Sequence, residues 1–111
     1  MQDDIAAECE IQIKRLAGMY QMGDGYQQTK EAINSILTDF NHGLGREVSV
    51  RIMVWSDLHA SLKNSLIISA DPRWIEAIRY AISRVKSFKQ NAMASHAARV
   101  ASHALAANEQ N

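Results

Sequence analysis

The longest stretch of this sequence without a helix breaker begins at Asp71-Pro72. Asp is a good N-cap, Pro is favoured at the first helical position, and neither Gly nor Pro occurs in the 39 residues that follow Pro72. One helix over residues 72–107 would span about 54 Å at roughly 1.5 Å per residue, whereas a compact domain of this size has a radius of gyration of about 13 to 14 Å. We therefore expect the helix to bend or end near residues 87–91, to fray beyond them, or to project and pack against another chain.

The second part of this predicted helix carries small apolar residues with a heptad-like repeat. A four-residue pattern recurs seven positions later, as Ala94-Ser95-His96-Ala97 and Ala101-Ser102-His103-Ala104. A narrow apolar seam follows from the same spacing: Met93, Ala97, Val100, Ala104 and Ala107. Because such a seam suits close contact between helices, we favour projection. We predict a helical domain in residues 1–91 and an oligomerisation segment in residues 92–111.

Two further helices are predicted before residue 45. Ile5, Cys9, Ile13, Leu16 and Tyr20 recur at helical spacing, and Gly23-Asp24-Gly25 would end that helix in a turn. A second stripe lies between residues 27 and 41, before Gly43-Leu44-Gly45. Two amphipathic helices with a short connection are expected to pack as an antiparallel hairpin.

The segment after Gly45 fits two periods. Over residues 48–54, apolar and other residues alternate as in a half-buried β-strand, which would have to pair across a dimer because no second strand is apparent. A longer helical stripe fits more positions: Val48, Ile52, Trp55, His59, Leu62 and Leu66. The sequence therefore favours an all-α fold, a four-helix hairpin or bundle-like domain with a long C-terminal helix, with the strand as the alternative.

Composition narrows the class of protein. The single cysteine, Cys9, excludes an internal disulfide and fits a reducing compartment, and the longest apolar run, residues 52–55, is too short to cross a membrane. We expect a cytoplasmic protein with no membrane contact.

The net charge is zero, but residues 1–71 carry 10 acidic and 6 basic residues, and residues 72–111 carry 2 acidic and 6 basic. We expect the two parts to match each other inside the fold, although an acidic partner or nucleic acid would also fit.

The basic residues of the last helix are the candidate partner-binding residues. They form a predicted cationic stripe: Arg84, Lys86, Lys89, His96, Arg99 and His103. His96 and His103 lie two turns apart, roughly 10.5 Å, which is too far to share a metal ion. We predict no metal and no cofactor.

The sequence offers little for catalysis. Cys9 lies on an apolar stripe, and His59 has no evident nucleophile or carboxylate arranged around it, so we expect a non-enzymatic protein.

Trp55 and Trp74 are the large anchors, either in the core or at an interface. The leading hypothesis is an oligomeric interaction protein that binds and modulates a protein partner or complex, with inhibition as the favoured effect; its size is that of proteins that phages and other mobile elements encode. The alternative is a nucleic-acid or nucleotide-binding regulator that uses the basic last helix.

Overall fold

A computed structural model describes the backbone of residues 2–110 and the side chains of residues 5–102. It contains four helices: α1 (Gln2–Gln21), α2 (Tyr26–Gly43), α3 (Val48–Ser65) and α4 (Pro72–Gln110). Helices α1 and α4 pack against each other and against both remaining helices, so α2 and α3 lie on opposite sides of this pair. The predicted all-α fold is confirmed.

The turn between α1 and α2 is built around Gly23. Its φ of 124° lies in the region that side chains with a Cβ rarely adopt. The N–H of Gly23 bonds to the carbonyl of Tyr20, and the N–H of Asp24 bonds to the carbonyl of Met19. These two bonds are those of a Schellman motif, which satisfies the last carbonyls of α1 and ends it where the sequence predicts.

The alternative of a β-strand over residues 48–54 is wrong. Helix α3 begins at Val48, and its buried positions recur at helical spacing through Trp55, Leu58 and Leu62. A helix satisfies its backbone hydrogen bonds within itself, whereas a lone strand needs a partner, and the apolar stripe is long enough for five helical turns.

The core lies among all four helices and is centred on Trp55. This side chain is 0% exposed; its ring stacks on Phe88 at 4.8 Å between centroids and meets Phe40 edge-on at 5.1 Å. Trp74 is partly buried, and its indole N–H donates to the carbonyl of Ser65 at 3.3 Å. Both tryptophans therefore anchor helices within this chain.

Helix α4 extends beyond the other three helices. Its 39 residues correspond to about 58 Å, close to the longest dimension of the molecule, 63 Å, against 28 and 23 Å across. The radius of gyration, 16.8 Å, exceeds the value of about 13 to 14 Å for a compact chain of this length. The alternative in which the helix ends near residues 87–91 is wrong, because α4 continues to Gln110.

Candidate binding surfaces

The first candidate surface is residues 93–102 of α4, which we call the projecting segment. Every residue in it is exposed, including the apolar side chains of Met93 (49%) and Val100 (55%). Ala97 lies between them on the same helix face, so the first three positions of the predicted seam are accessible. The other two, Ala104 and Ala107, lie outside the residues whose side chains the structure describes.

The predicted cationic stripe does not form one surface. Arg84 faces α2, where its Nε–H donates to Asn34 Oδ1 at 3.0 Å. Lys86 and Lys89 are close enough to His59 of α3 for their charges to lower the pKa of its imidazole, and Arg99 lines a cleft at the end of the bundle. His96 is exposed on the projecting segment, and His103 lies outside the described side chains. The stripe is divided because α2 and α3 occupy different sides of α4.

His59 lies in a positively charged environment. Burial lowers the pKa of its imidazole from the usual 6.5, and the charges of Lys63, Lys89 and Lys86 lower it further. A positive charge on the imidazole is unfavourable where solvent is partly excluded and three ammonium groups are near. Burial and the three lysine charges therefore favour the neutral form of the His59 imidazole.

The second candidate surface is a cleft of about 400 Å³ at the end of the bundle, which we call the arginine cleft. It lies between the α2–α3 turn, the first turn of α3 and the middle of α4. Arg46, Arg51 and Arg99 come from these three elements and line the same cleft, and no carboxylate is among its lining residues in the described part of the chain. Arginine side chains present planar donor groups that match phosphate and carboxylate oxygens.

One of the three arginines also holds the turn in place. The Arg51 guanidinium donates to Asn41 Oδ1 at the end of α2 and to the carbonyl of Gly45. Gly45 has a φ of 80°, so the turn at this point depends on glycine. Arg46 and Arg99 are exposed at the cleft.

The floor of the arginine cleft continues the buried face of α4. Ala81 and Val85 are fully buried in the bundle, and the same face continues at helical spacing through Phe88, Ala92, Ser95 and Arg99, all of which line the cleft. Four further residues complete the lining: Asn41, Gly45, Val48 and Asn91. The cleft thus combines an aromatic ring and small apolar surface with amide, hydroxyl and guanidinium groups.

Sequence reasoning identified Arg99 but missed Arg46 and Arg51. The change from apolar to polar residues along one face, from Phe88 to Ser95 and Arg99, was a signal in the sequence. The two other arginines belong to a different part of the chain, and only the packing of the α2–α3 turn against α4 brings them to the cleft.

The expected match between the acidic and basic parts of the chain is not made by direct ion pairs. Among residues 5–102, one salt bridge is present, between Glu10 and Lys14 on successive turns of α1 at 2.8 Å. The contacts of Glu76 and Arg73 with α1 go instead to the hydroxyl and the backbone carbonyl of Tyr20, at 2.7 and 3.0 Å. Among the described side chains, the two parts of the chain therefore make no ion pair with each other.

Another concave surface, of about 350 Å³, lies between α1 and α2. Cys9 lines it, together with Glu8 and Asp39. The thiol is almost completely buried, and this burial raises its pKa to about 12. A thiol with this pKa stays protonated near neutral pH and is a poor nucleophile, because the thiolate is the reactive form.

Among the described residues, no group of three or more His, Cys, Asp or Glu side chains could hold a metal ion. No helix in the described part of the chain is both long and apolar enough to cross a membrane. Comparisons with known protein families, with curated proteins and with solved structures find no match for this chain.

Proposed function

We propose that this chain is a non-enzymatic interaction protein that assembles through its projecting segment and inhibits a protein partner. The observation that carries the proposal is the exposure of Met93, Ala97 and Val100 on a helix that extends beyond its own core. Apolar side chains at this spacing bury their surface when a second helix packs along them.

The seam differs from the face of α4 that the bundle buries. Ala81 and Val85 point into the core, and their face continues to Ser95 and Arg99. Met93 and Val100 lie on another face of the same helix, so a partner helix could pack along them without displacing any helix of this chain. This separation supports assembly of intact bundles.

The assembly is tested with a matched pair of substitutions, Ala97→Glu and Ala98→Glu. Both residues are exposed alanines in α4, but only Ala97 lies on the seam. A charge buried without a partner in a helix contact is costly, so Ala97→Glu should convert the oligomer to a monomer, whereas Ala98→Glu should leave the mass unchanged. Light scattering coupled to size exclusion measures the mass of each variant.

A monomeric mass for the unsubstituted full chain would overturn the assembly. The inhibited partner is sought with the full chain as bait, with both glutamate variants as parallel baits. A partner that the Ala98→Glu bait captures and the Ala97→Glu bait does not would require the assembled form. The activity of that partner should fall when the full chain is added. If no captured partner loses activity, the inhibitory role is wrong.

A further inference from the structure

The arginine cleft carries an inference that does not depend on assembly through the projecting segment. Three guanidinium groups from separate elements converge there, and its volume of about 400 Å³ lies within the range of small-molecule sites. Bringing three positive charges to one concavity is unfavourable unless an anion or solvent screens them. The three like charges on its lining therefore give the cleft a preference for anions over cations.

The first turn of α3 adds to this preference. Val48 lines the cleft, and no side chain caps the N–H groups at the start of α3. A helix N-terminus carries partial positive charge and attracts anions. The residue before α3, Glu47, is acidic. Its carboxylate accepts a hydrogen bond from the Ser49 hydroxyl at 3.1 Å.

The remaining lining residues indicate more than a simple anion. Phe88 is partly exposed at the cleft; its ring is fixed by stacking on the buried Trp55, and the Arg84 guanidinium lies 5.7 Å from its centroid. A fixed aromatic ring is a stacking platform for a planar base, and the amides of Asn41 and Asn91 can hydrogen-bond to base edges. A phosphate site, an aromatic ring and amide groups together match the parts of a nucleotide.

We infer that the arginine cleft binds a nucleotide, with the phosphate on Arg46 and Arg99 and the base against Phe88. The nucleotide can be free or can be one residue of a single-stranded nucleic acid, since both present the same groups. Lys89 follows Phe88 in α4, so a longer strand would meet a further positive charge next to the cleft.

The test uses the full chain at low salt with three probes: ATP, sodium tripolyphosphate and a fluorescein-labelled short oligo(dT). Calorimetry measures the two small ligands, and fluorescence anisotropy measures the oligonucleotide. Arg46→Ala and Arg99→Ala should each weaken binding by about tenfold or more, because a hydrogen bond to a charged group is lost. Both arginines are exposed, so the fold should tolerate these changes.

Arg79→Ala is the matched control. Arg79 is an exposed arginine of the same helix, about 30 Å from Arg99 along the axis. The Arg79→Ala substitution removes the same charge and should leave the affinity for each probe unchanged. Light scattering on the Arg99→Ala variant should give the mass of the unsubstituted chain, which separates loss of nucleotide from loss of assembly.

Each outcome has a defined meaning. Tight binding of ATP identifies a free nucleotide, and binding of oligo(dT) alone identifies a single strand; both support the inference when they depend on Arg46 and Arg99. The inference is overturned if neither probe binds or if Arg79→Ala weakens binding as much as Arg99→Ala. It is also overturned if ATP binds but tripolyphosphate binds equally tightly, because the base would then contribute nothing.

Discussion

Side chains on one face of α4 change their role at Phe88. Val85 is fully buried, Phe88 is partly exposed over Trp55, and Ser95 and Arg99 line an open cleft. The spacing of the residues does not change along this face, but the helices around it end. A residue at a core-like position beyond the end of the bundle is therefore free to be polar.

His59 should make the stability of the protein depend on pH. Its pKa is lowered in the folded state by burial and by Lys63, Lys89 and Lys86, so the unfolded chain takes up the proton first as pH falls. The stability that His59 contributes is present above its unfolded pKa of about 6.5 and is lost as pH falls from there toward the folded pKa. We expect His59→Gln to reduce the loss of stability between about pH 7.5 and about pH 5.

Urea unfolding at the two pH values measures this difference. His42→Gln is the control, because His42 is exposed at the end of α2. Carboxylates also titrate in this range, so the comparison is between variants and not between pH values alone. An equal loss of stability in the native chain and in His59→Gln would show that the lysine environment of His59 has no energetic effect.

At the scale of the helices, the boundaries follow local signals closely. The helix predicted to begin at Asp71-Pro72 does so, with Asp71 Oδ1 accepting from the N–H groups of Arg73 at 2.9 Å and Trp74 at 3.4 Å. Gly23 ends α1 through its positive φ. Caps and glycine turns act within a few residues, so a sequence pattern can identify them without knowledge of the fold.

Removal of the Asp71 cap tests how much this boundary contributes. Asp71→Ala should lower the free energy of unfolding by about 1 kcal/mol, since two N–H groups of α4 lose their acceptor. Asp71→Asn keeps an acceptor and should lose less. Chemical denaturation measures both variants, with Asp24→Ala as the control, because Gly25 and not Asp24 is the N-cap of α2. A loss in Asp24→Ala as large as in Asp71→Ala would contradict a specific capping effect.

Helix α3 was harder to predict because residues 48–54 satisfy both periods. Val54 and Trp55 are adjacent in sequence and both buried, which a half-buried strand would not allow. They are buried together because α3 lies against both α1 and α4. The decision between helix and strand at this point came from packing.

At the scale of the whole molecule, helix α4 has one part whose side chains are buried in the bundle and an extension whose side chains are exposed. Among the described side chains of α4, the last fully buried one is Val85, and residues 93–102 are all exposed. Hydrophobic stabilisation scales with the apolar area removed from water, so these exposed residues add little to the stability of the isolated chain.

A chain that ends at Asn91 should therefore unfold at the same urea midpoint as the full chain when both are dilute. If the full chain assembles through residues 92–111, its midpoint should rise with protein concentration, whereas that of the shortened chain should not. Urea unfolding over a range of concentrations measures both effects. A shortened chain that is much less stable than the dilute full chain would show that the extension belongs to the folded core.

The sequence by itself determined the helical class, the start of α4 at Pro72 and the turn at Gly23, because local backbone preferences and apolar periodicity act over a few turns. It left open whether the last helix continues past residues 87–91. It also indicated which residues of the projecting segment are apolar. Tertiary structure decided the helical state of residues 48–54, divided the cationic stripe and brought Arg46 and Arg51 to Arg99. Those results depend on contacts between residues far apart in the chain, and such contacts leave no local pattern.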